Sequence, residues 1–197
     1  MSKSKIETAF NGVSVHGGDV WVADYTELSK DHPEHLHKGV CIQDVPFDDI
    51  SSFHLSNPNG VVFYAVNFEH NKGFFPEAVN DCECMFRVMS VNKGWVLLCE
   101  LKYCKEKNLT DNVDKAYSQL KSTWQLIVDK GIVDARRVKT YFNISVPEHA
   151  NRAPFDAFMN SQDEKLEWLK KYKIHLLGYN DVVVVNKGIL RVENPQI

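Results

Sequence analysis

Four charged side chains between positions 81 and 102 are the residues of this sequence best suited to chemistry. Asp81 and Glu83 stand at the start of one β-rich run, and Glu100 and Lys102 stand at the end of the next. A hard divalent cation such as Mg²⁺, or Mn²⁺ in its place, prefers carboxylate oxygens and takes few of them from protein. Such a cation activates a water molecule and neutralises charge on a phosphate, while a neighbouring lysine holds the water or stabilises the transition state. These residue types therefore indicate phosphodiester hydrolysis.

The elements that must position these side chains form a predicted β-hairpin. Residues 82–91 and 95–103 are rich in β-forming side chains, and the short loop between them contains Gly94. Side chains alternate between the two faces of a strand. The two acids of the first run therefore share one face, and so do the acid and the lysine of the second run. Such a hairpin can gather acids from both strands on one side of the sheet.

The register of the hairpin decides which acid of the first run lies beside Glu100. With the turn centred near Lys93, Glu100 faces a position closer to Phe86 than to Asp81. Glu83 is therefore the nearer acid, and Asp81 would need a bulge or a strong twist to reach the site. We predict that Glu83 and Glu100 are metal ligands, with Asp81 as the alternate ligand.

The order of these features resembles the core of the PD-(D/E)xK nucleases over roughly residues 77–146. It runs from an acid through a strand, a turn and an apolar strand ending in Glu-x-Lys to a helix that bears a glutamine. The matching positions are, in chain order, Asp81 or Glu83, Glu100, Lys102 and Gln119. The resemblance implies cleavage of nucleic acid, DNA or RNA, with Mg²⁺ as cofactor. In this interpretation Lys102 positions the water and Gln119 supports the site from the helix.

The resemblance also implies an α/β (α+β) fold of the restriction-endonuclease type, with a mixed central sheet flanked by helices. Residues 1–70 are predicted as a β-rich N-terminal extension packed on a nuclease-like core of residues 71–197, in one domain overall. Helices are predicted at 111–130, where apolar residues recur at helical spacing before Gly131, and at 162–172. Further strands are predicted at 13–15, 20–23, 39–42, 61–66, 137–146, 174–177, 181–185 and 188–192.

Two other groups of residues could bind a transition metal, but their patterns do not favour it. Three of the five cysteines, Cys82, Cys84 and Cys99, are predicted by alternation to share the face turned away from the acids, where they would pack in the core. They also lack the spacing of a zinc knuckle. His32, His35 and His37 lie in a polar stretch that contains a proline, and a loop is the favoured interpretation there.

The composition is that of a globular protein and leaves a second functional class open. The formal net charge is -3, so the chain carries no overall basic field for phosphate contacts. A nuclease-like module that binds partners without catalysis is therefore the alternative hypothesis. The N-terminus has no apolar segment of the signal-peptide type, and no apolar run has membrane-spanning length. These features predict a cytoplasmic protein without membrane partners, and a symmetric homodimer is compatible with them.

Overall fold

The structure, a computed structural model, describes residues 4–32, 34, 36–77, 79–90, 93–149 and 163–192. Its α-helices in these ranges are α1 (Lys5–Ala9), α2 (Thr26–Asp31), α3 (Leu109–Asp129) and α4 (Asp163–Tyr172). Its first strands are β1 (Ser14–His16), β2 (Val20–Asp24), β3 (Val40–Gln43), β4 (Phe53–Ser56), β5 (Phe63–Asn67) and β6 (Cys84–Val88). The others are β7 (Gly94–Leu101), β8 (Val138–Ser145), β9 (Ile174–Leu177), β10 (Asp181–Asn186) and β11 (Ile189–Val192). Short 3-10 helices span Glu69–Phe74 and Glu106–Asn108.

The strands form two mixed sheets. The larger sheet has six strands in the order β1-β5-β6-β7-β8-β9. Its first four strands are antiparallel, whereas β7, β8 and β9 run parallel to one another. The smaller sheet has five strands in the order β11-β10-β4-β2-β3, in which only β10 and β4 pair in parallel. The fold is therefore α+β at the level of its class, as predicted.

Both ends of the chain contribute to both sheets. Within residues 1–70, β1 and β5 belong to the six-stranded sheet, whereas β2, β3 and β4 belong to the smaller one. The C-terminal hairpin of β10 and β11 completes the smaller sheet. The N-terminal part is thus joined to the rest of the chain through backbone pairing within sheets as well as through side-chain packing.

The six-stranded sheet lies between two different layers. On one face its apolar side chains pack with α1, α3 and α4, which contribute Ile6, Leu120 and Leu169 among others. On the opposite face they pack against the smaller sheet, where Phe53 and Phe86 lie in one cluster. In the described residues the large sheet is therefore covered by helices on one face and by strands on the other.

Strand β7 crosses the centre of this arrangement. All of its residues from Gly94 to Leu101 are buried, because the strand has neighbours on both edges and layers on both faces. Helix α3 connects β7 to its parallel neighbour β8 and ends before Gly131, whose φ of 67° suits a glycine after a helix. Parallel strands joined by a crossover bind ligands at their carboxyl ends. The carboxyl end of β7 holds Glu100 and is followed by Lys102.

Candidate active site

Hydrogen bonding between β6 and β7 places Glu83 next to Glu100. The ladder pairs Cys84 with Cys99, so the preceding and following residues meet just beyond the last pair. There the backbone N–H of Glu83 donates a hydrogen bond of 3.1 Å to Glu100 Oε2. Glu83, rather than Asp81, is thus the acid that this register brings beside Glu100.

Lys102, which follows β7, connects Glu100 of that strand to helix α3. Its Nζ donates hydrogen bonds to Glu100 Oε1 and, at 2.9 Å, to Gln119 Oε1. The amide nitrogen of Gln119 donates to the carbonyl oxygen of Asp81 at 3.0 Å. Gln119 therefore holds the lysine and the start of the hairpin at the same time, and the structure brings together the four predicted residues Glu83, Glu100, Lys102 and Gln119.

The side chain of Asp81 is directed to a different partner. Its Oδ2 accepts a hydrogen bond of 2.7 Å from Lys72 Nζ, and only 10% of the Asp81 side chain is exposed. Lys72 belongs to the 3-10 helix after β5, which the sequence patterns did not single out. Asp81 thus contributes a backbone carbonyl to the network around Lys102 through Gln119, while its carboxylate is paired with a separate lysine.

The two glutamates are held in an environment that disfavours their charge. Glu100 is fully buried. Burial raises the pKa of its carboxyl group to about 7, although the charge of Lys102 and its hydrogen bond act in the opposite direction. Burial and the nearby charge of Glu100 raise the pKa of Glu83 well above its ordinary value. The pair therefore favours uptake of positive charge, as a proton or as a cation, in addition to the charge of Lys102.

The site opens into an acidic cleft of about 700 Å³, which is lined by residues of both sheets and of the loops that follow their strands. Glu83 and Lys102 lie in its wall, and four further acids line it, namely Asp24, Asp31, Asp49 and Glu148. Asp24 comes from the end of β2 in the smaller sheet, where the backbone N–H and the hydroxyl of Thr26 donate to its Oδ1. Its charge contributes to the raised pKa values of both Glu83 and Glu100.

Asp24 is one of the cleft residues that the sequence patterns missed, and its charge acts on both glutamates. It follows the apolar run of β2 and comes from a different sheet, so no local spacing connects it to the hairpin. An acid directly after a buried strand is the one signal that could have drawn attention to it.

The donor set of the site fits Mg²⁺, although it is small. The described part of the chain contains no group of three or more His, Cys, Asp and Glu side chains that could hold a metal ion. Mg²⁺ is commonly bound through one or two carboxylates, with water and substrate phosphates completing its shell. Glu83 and Glu100 are neighbouring acids whose pKa values are raised by burial, so a bound cation would stabilise their ionised forms.

The cysteines lie where predicted in two cases out of three. Cys84 and Cys99 are buried between the two sheets, on the face away from the acids. Cys82 packs instead in the helix-side core, where its backbone N–H donates to Thr123 Oγ1 of α3 at 2.9 Å. The prediction for Cys82 was wrong because β6 begins only at Cys84, so regular alternation does not extend back to Cys82.

The three-histidine stretch does not form a metal site within the described residues. His37 contacts the ring of Tyr25, and its Nδ1 lies 3.8 Å from the Sγ of Cys41. His32 lies 3.4 Å from Glu34 at an exposed position. His35 lies outside the described residues.

A separate chain of hydrogen bonds at edge strand β1 has the order found in nucleophilic hydrolases. Ser14 Oγ lies 2.7 Å from His16 Nε2, and His16 Nδ1 lies 2.6 Å from Asp44 Oδ1. In hydrolases the third residue is shielded so that it can orient the base. Because the Asp44 side chain is 72% exposed, water screens this pair, and we interpret the chain of contacts as support for the strand edge.

Comparison of the chain with protein-family models, curated proteins and solved structures finds no match. In addition, no helix among the residues that the structure describes is long and apolar enough to cross a membrane. The functional interpretation of the site therefore rests on its geometry and chemistry.

Proposed function

We propose that this protein hydrolyses phosphodiester bonds of nucleic acid, with a divalent metal ion, at a site of the PD-(D/E)xK type. The observation that carries the proposal is the contact of Lys102, which lies with Glu83 in the wall of an open cleft, with the buried Glu100 behind them. A buried acid paired with a part-buried lysine is costly for the fold, and such groups concentrate at functional sites. The position at the carboxyl end of a parallel strand agrees with this interpretation.

The order of elements around the site supports the nuclease type. An acid precedes β6, the apolar strand β7 ends in Glu100-x-Lys102, and the following helix α3 brings Gln119 to the lysine. A restriction-endonuclease-like core is part of the proposal. A second sheet, in place of helices, would cover one face of that core in this chain.

Each side chain would have a distinct role. Glu83 and Glu100 would hold a Mg²⁺ or Mn²⁺ ion, with Asp81 as the alternate ligand after release from Lys72. When bound, the ion would supply an activated water and neutralise charge on the phosphate. Lys102 would hold the attacking water or donate to a phosphate oxygen, and Gln119 would keep the ammonium group in place. Nucleic acid would approach through the cleft, whose acids make binding dependent on the ion.

A non-catalytic module that binds nucleic acid or another partner is the second candidate. It is favoured by the ion pairs that already neutralise two of the acids, Lys102 with Glu100 and Lys72 with Asp81. A site that is complete without a metal ion would need no metal for folding or for partner binding. The two candidates therefore differ in their response to divalent ions.

The experiment that tests the proposal compares cleavage by wild type, Glu100→Gln and Lys102→Met. Single-stranded and double-stranded DNA and RNA would be offered with Mg²⁺, with Mn²⁺ and with a chelator. We expect cleavage by wild type that needs the metal, and a loss of about 100-fold or more in both variants. Glu106→Gln and Lys105→Met are matched controls, because both residues are exposed and lie outside the cleft. They should retain wild-type rates.

The outcomes separate the two candidates. Equal cleavage by wild type and both site variants would refute the assignment of the site. Binding of oligonucleotides that is independent of metal, with no cleavage of any of the four substrates, would favour the non-catalytic module. Circular dichroism of each variant would confirm that the loss of activity does not come from unfolding.

A further inference from the structure

A second cavity lies at the opposite end of the hairpin from the acidic cleft. It has a volume of about 210 Å³ and is formed where β6, β7 and β8 meet the end of α3 and the start of α1. Four cationic residues line it, namely Lys5, Arg87, Lys93 and Arg137, together with a single acid, Asp134. We call this cavity the arginine pocket. Its charge is notable in a chain whose formal net charge is -3.

Arg87 is the central residue of the arginine pocket. Its side chain is half-buried at the end of β6, and its Nη1 donates to the carbonyl oxygen of Ile132 at 3.2 Å. None of the carboxylates in the described ranges lies within ion-pair distance of it. Burial lowers the pKa of the guanidinium group, because it disfavours the charged form. A half-buried guanidinium group with unused donors favours binding of an anion.

The other cations reinforce this preference and leave donors available. Lys5 Nζ donates to the carbonyl oxygen of Gly131 at 2.9 Å, which uses one of its three donors. Lys93 is exposed at the tip of the hairpin. Arg137 lies 3.5 Å from Asp134, but this acid is also shared with Arg136 at 3.4 Å. The lining residues thus carry four positive charges and one negative charge.

The size and the walls of the arginine pocket favour a small ligand. Its volume lies below the range of roughly 300–1,000 Å³ that is usual for drug-sized molecules. Trp95 lines it, but this residue is buried and its Nε1 donates to the carbonyl oxygen of Asn186, so it offers no free ring face for a base. A guanidinium fork recognises the oxygens of phosphate well.

We propose that the arginine pocket binds a phosphate group, either as inorganic phosphate or at the end of a mononucleotide. The proposal goes beyond the nuclease site and is independent of it. Glu83 directly precedes β6 and Arg87 lies within β6 four positions later, a separation of about 13 Å at about 3.3 Å per residue of extended chain. The lining residues of the acidic cleft and of the arginine pocket do not overlap.

The test is a calorimetric titration of the full chain with inorganic phosphate and, separately, with adenosine monophosphate, at constant ionic strength. We expect binding by wild type and a loss of about tenfold or more in Arg87→Gln, because bonds to a charged donor are removed. Arg136→Gln is the matched control, since Arg136 is 91% exposed and does not line the pocket. It should bind like wild type.

Further variants and ligands make the titration able to refute the proposal. Lys93→Gln, at an exposed position, should also weaken binding, so a folding defect in Arg87→Gln would not hide the answer. Similar affinities for the two ligands would indicate free phosphate chemistry, and tighter binding of the mononucleotide would indicate a phosphate carried on a nucleotide. Absence of binding by folded wild type, or equal losses in Arg87→Gln and Arg136→Gln, would overturn the proposal. Glu100→Gln should leave phosphate affinity unchanged, which separates this result from any result on the nuclease site.

Discussion

Replacement of Glu100 by glutamine should change how the stability of the metal-free protein depends on pH. In the folded protein burial raises the pKa of Glu100 from 4.5 to about 7. Between these two values the folded state binds more protons than the unfolded state, so the free energy of unfolding falls as the pH rises through this window. Glutamine resembles the protonated acid and does not ionise. The variant should therefore lack this loss of stability.

The size of the effect follows from the two pKa values. A difference of one pKa unit corresponds to about 1.4 kcal/mol, so a shift from 4.5 to about 7 corresponds to roughly 3 kcal/mol. Removal of the Glu100 charge also relieves its repulsion of Glu83, which acts in the same direction. Relative to wild type, Glu100→Gln should thus gain roughly 3 kcal/mol between about pH 4.5 and about pH 8. For a chain of this size this gain corresponds to about 6–12 °C in Tm.

The assay is urea unfolding followed by circular dichroism across this pH range, in the presence of a chelator. Glu106→Gln, which removes the same charge at an exposed position, is the control and should follow wild type at every pH. A difference between Glu100→Gln and wild type that stays constant with pH would refute the reasoning, and so would a variant that loses relative stability as the pH rises. At about pH 8, Mg²⁺ should then stabilise wild type and leave Glu100→Gln unchanged, because a ligand stabilises only the state that binds it.

Two further substitutions test hydrogen bonds made by side chains of the two sheets and of helix α3. Burial lowers the pKa of His54, but hydrogen bonds of 3.1 Å to Asp181 and to Asp19 outweigh it and raise the pKa overall. The contribution of His54 to stability is therefore complete below its pKa in the unfolded chain and is lost as the pH rises through its pKa in the folded protein. In thermal melts, His54→Gln should accordingly be more destabilised at about pH 5 than at about pH 9. An equal difference at both pH values would contradict this. Thr123→Val should lower the free energy of unfolding by about 1–3 kcal/mol, because the buried N–H of Cys82 loses its acceptor. Thr123→Ser should retain most of the stability in chemical denaturation, and equal losses in both variants would show that the hydroxyl is not responsible.

The candidate site could be predicted in part because its strongest signals are local. The glycine-containing turn and the two β-rich runs predict the hairpin, and they made Glu83 the first-strand acid nearer to Glu100. The structure places the backbone N–H of Glu83 on the Glu100 carboxylate. The predicted register itself was wrong: a turn centred near Lys93 put Glu100 opposite a position near Phe86, whereas Phe86 pairs with Leu97. Helical spacing likewise predicted α3, which brings Gln119 to Lys102.

The residues that were missed depend on contacts between distant segments. Strand β4 and the short helices α1 and α2 were not predicted; each spans only four to six residues, over which periodicity alone is a weak signal. Lys72 reaches Asp81 from a 3-10 helix that has no strong pattern. Cys82 was placed on the wrong face, since the start of a strand is set by pairing that the alternation pattern does not reveal.

By itself, the sequence determined the hairpin, the long helix, the α+β class and the presence of Glu100 and Lys102 at the end of one apolar strand. Alternation, turns and helical spacing act over a few residues and can be read directly from residue types. Only the tertiary structure decided that a second sheet brings Asp24 to the acidic cleft and that α1 brings Lys5 to the arginine pocket. Burial of apolar faces selects which strands pair and which layers meet, and that selection depends on the whole chain at once. The grouping of acids in the acidic cleft and of cations in the arginine pocket is a consequence of this packing.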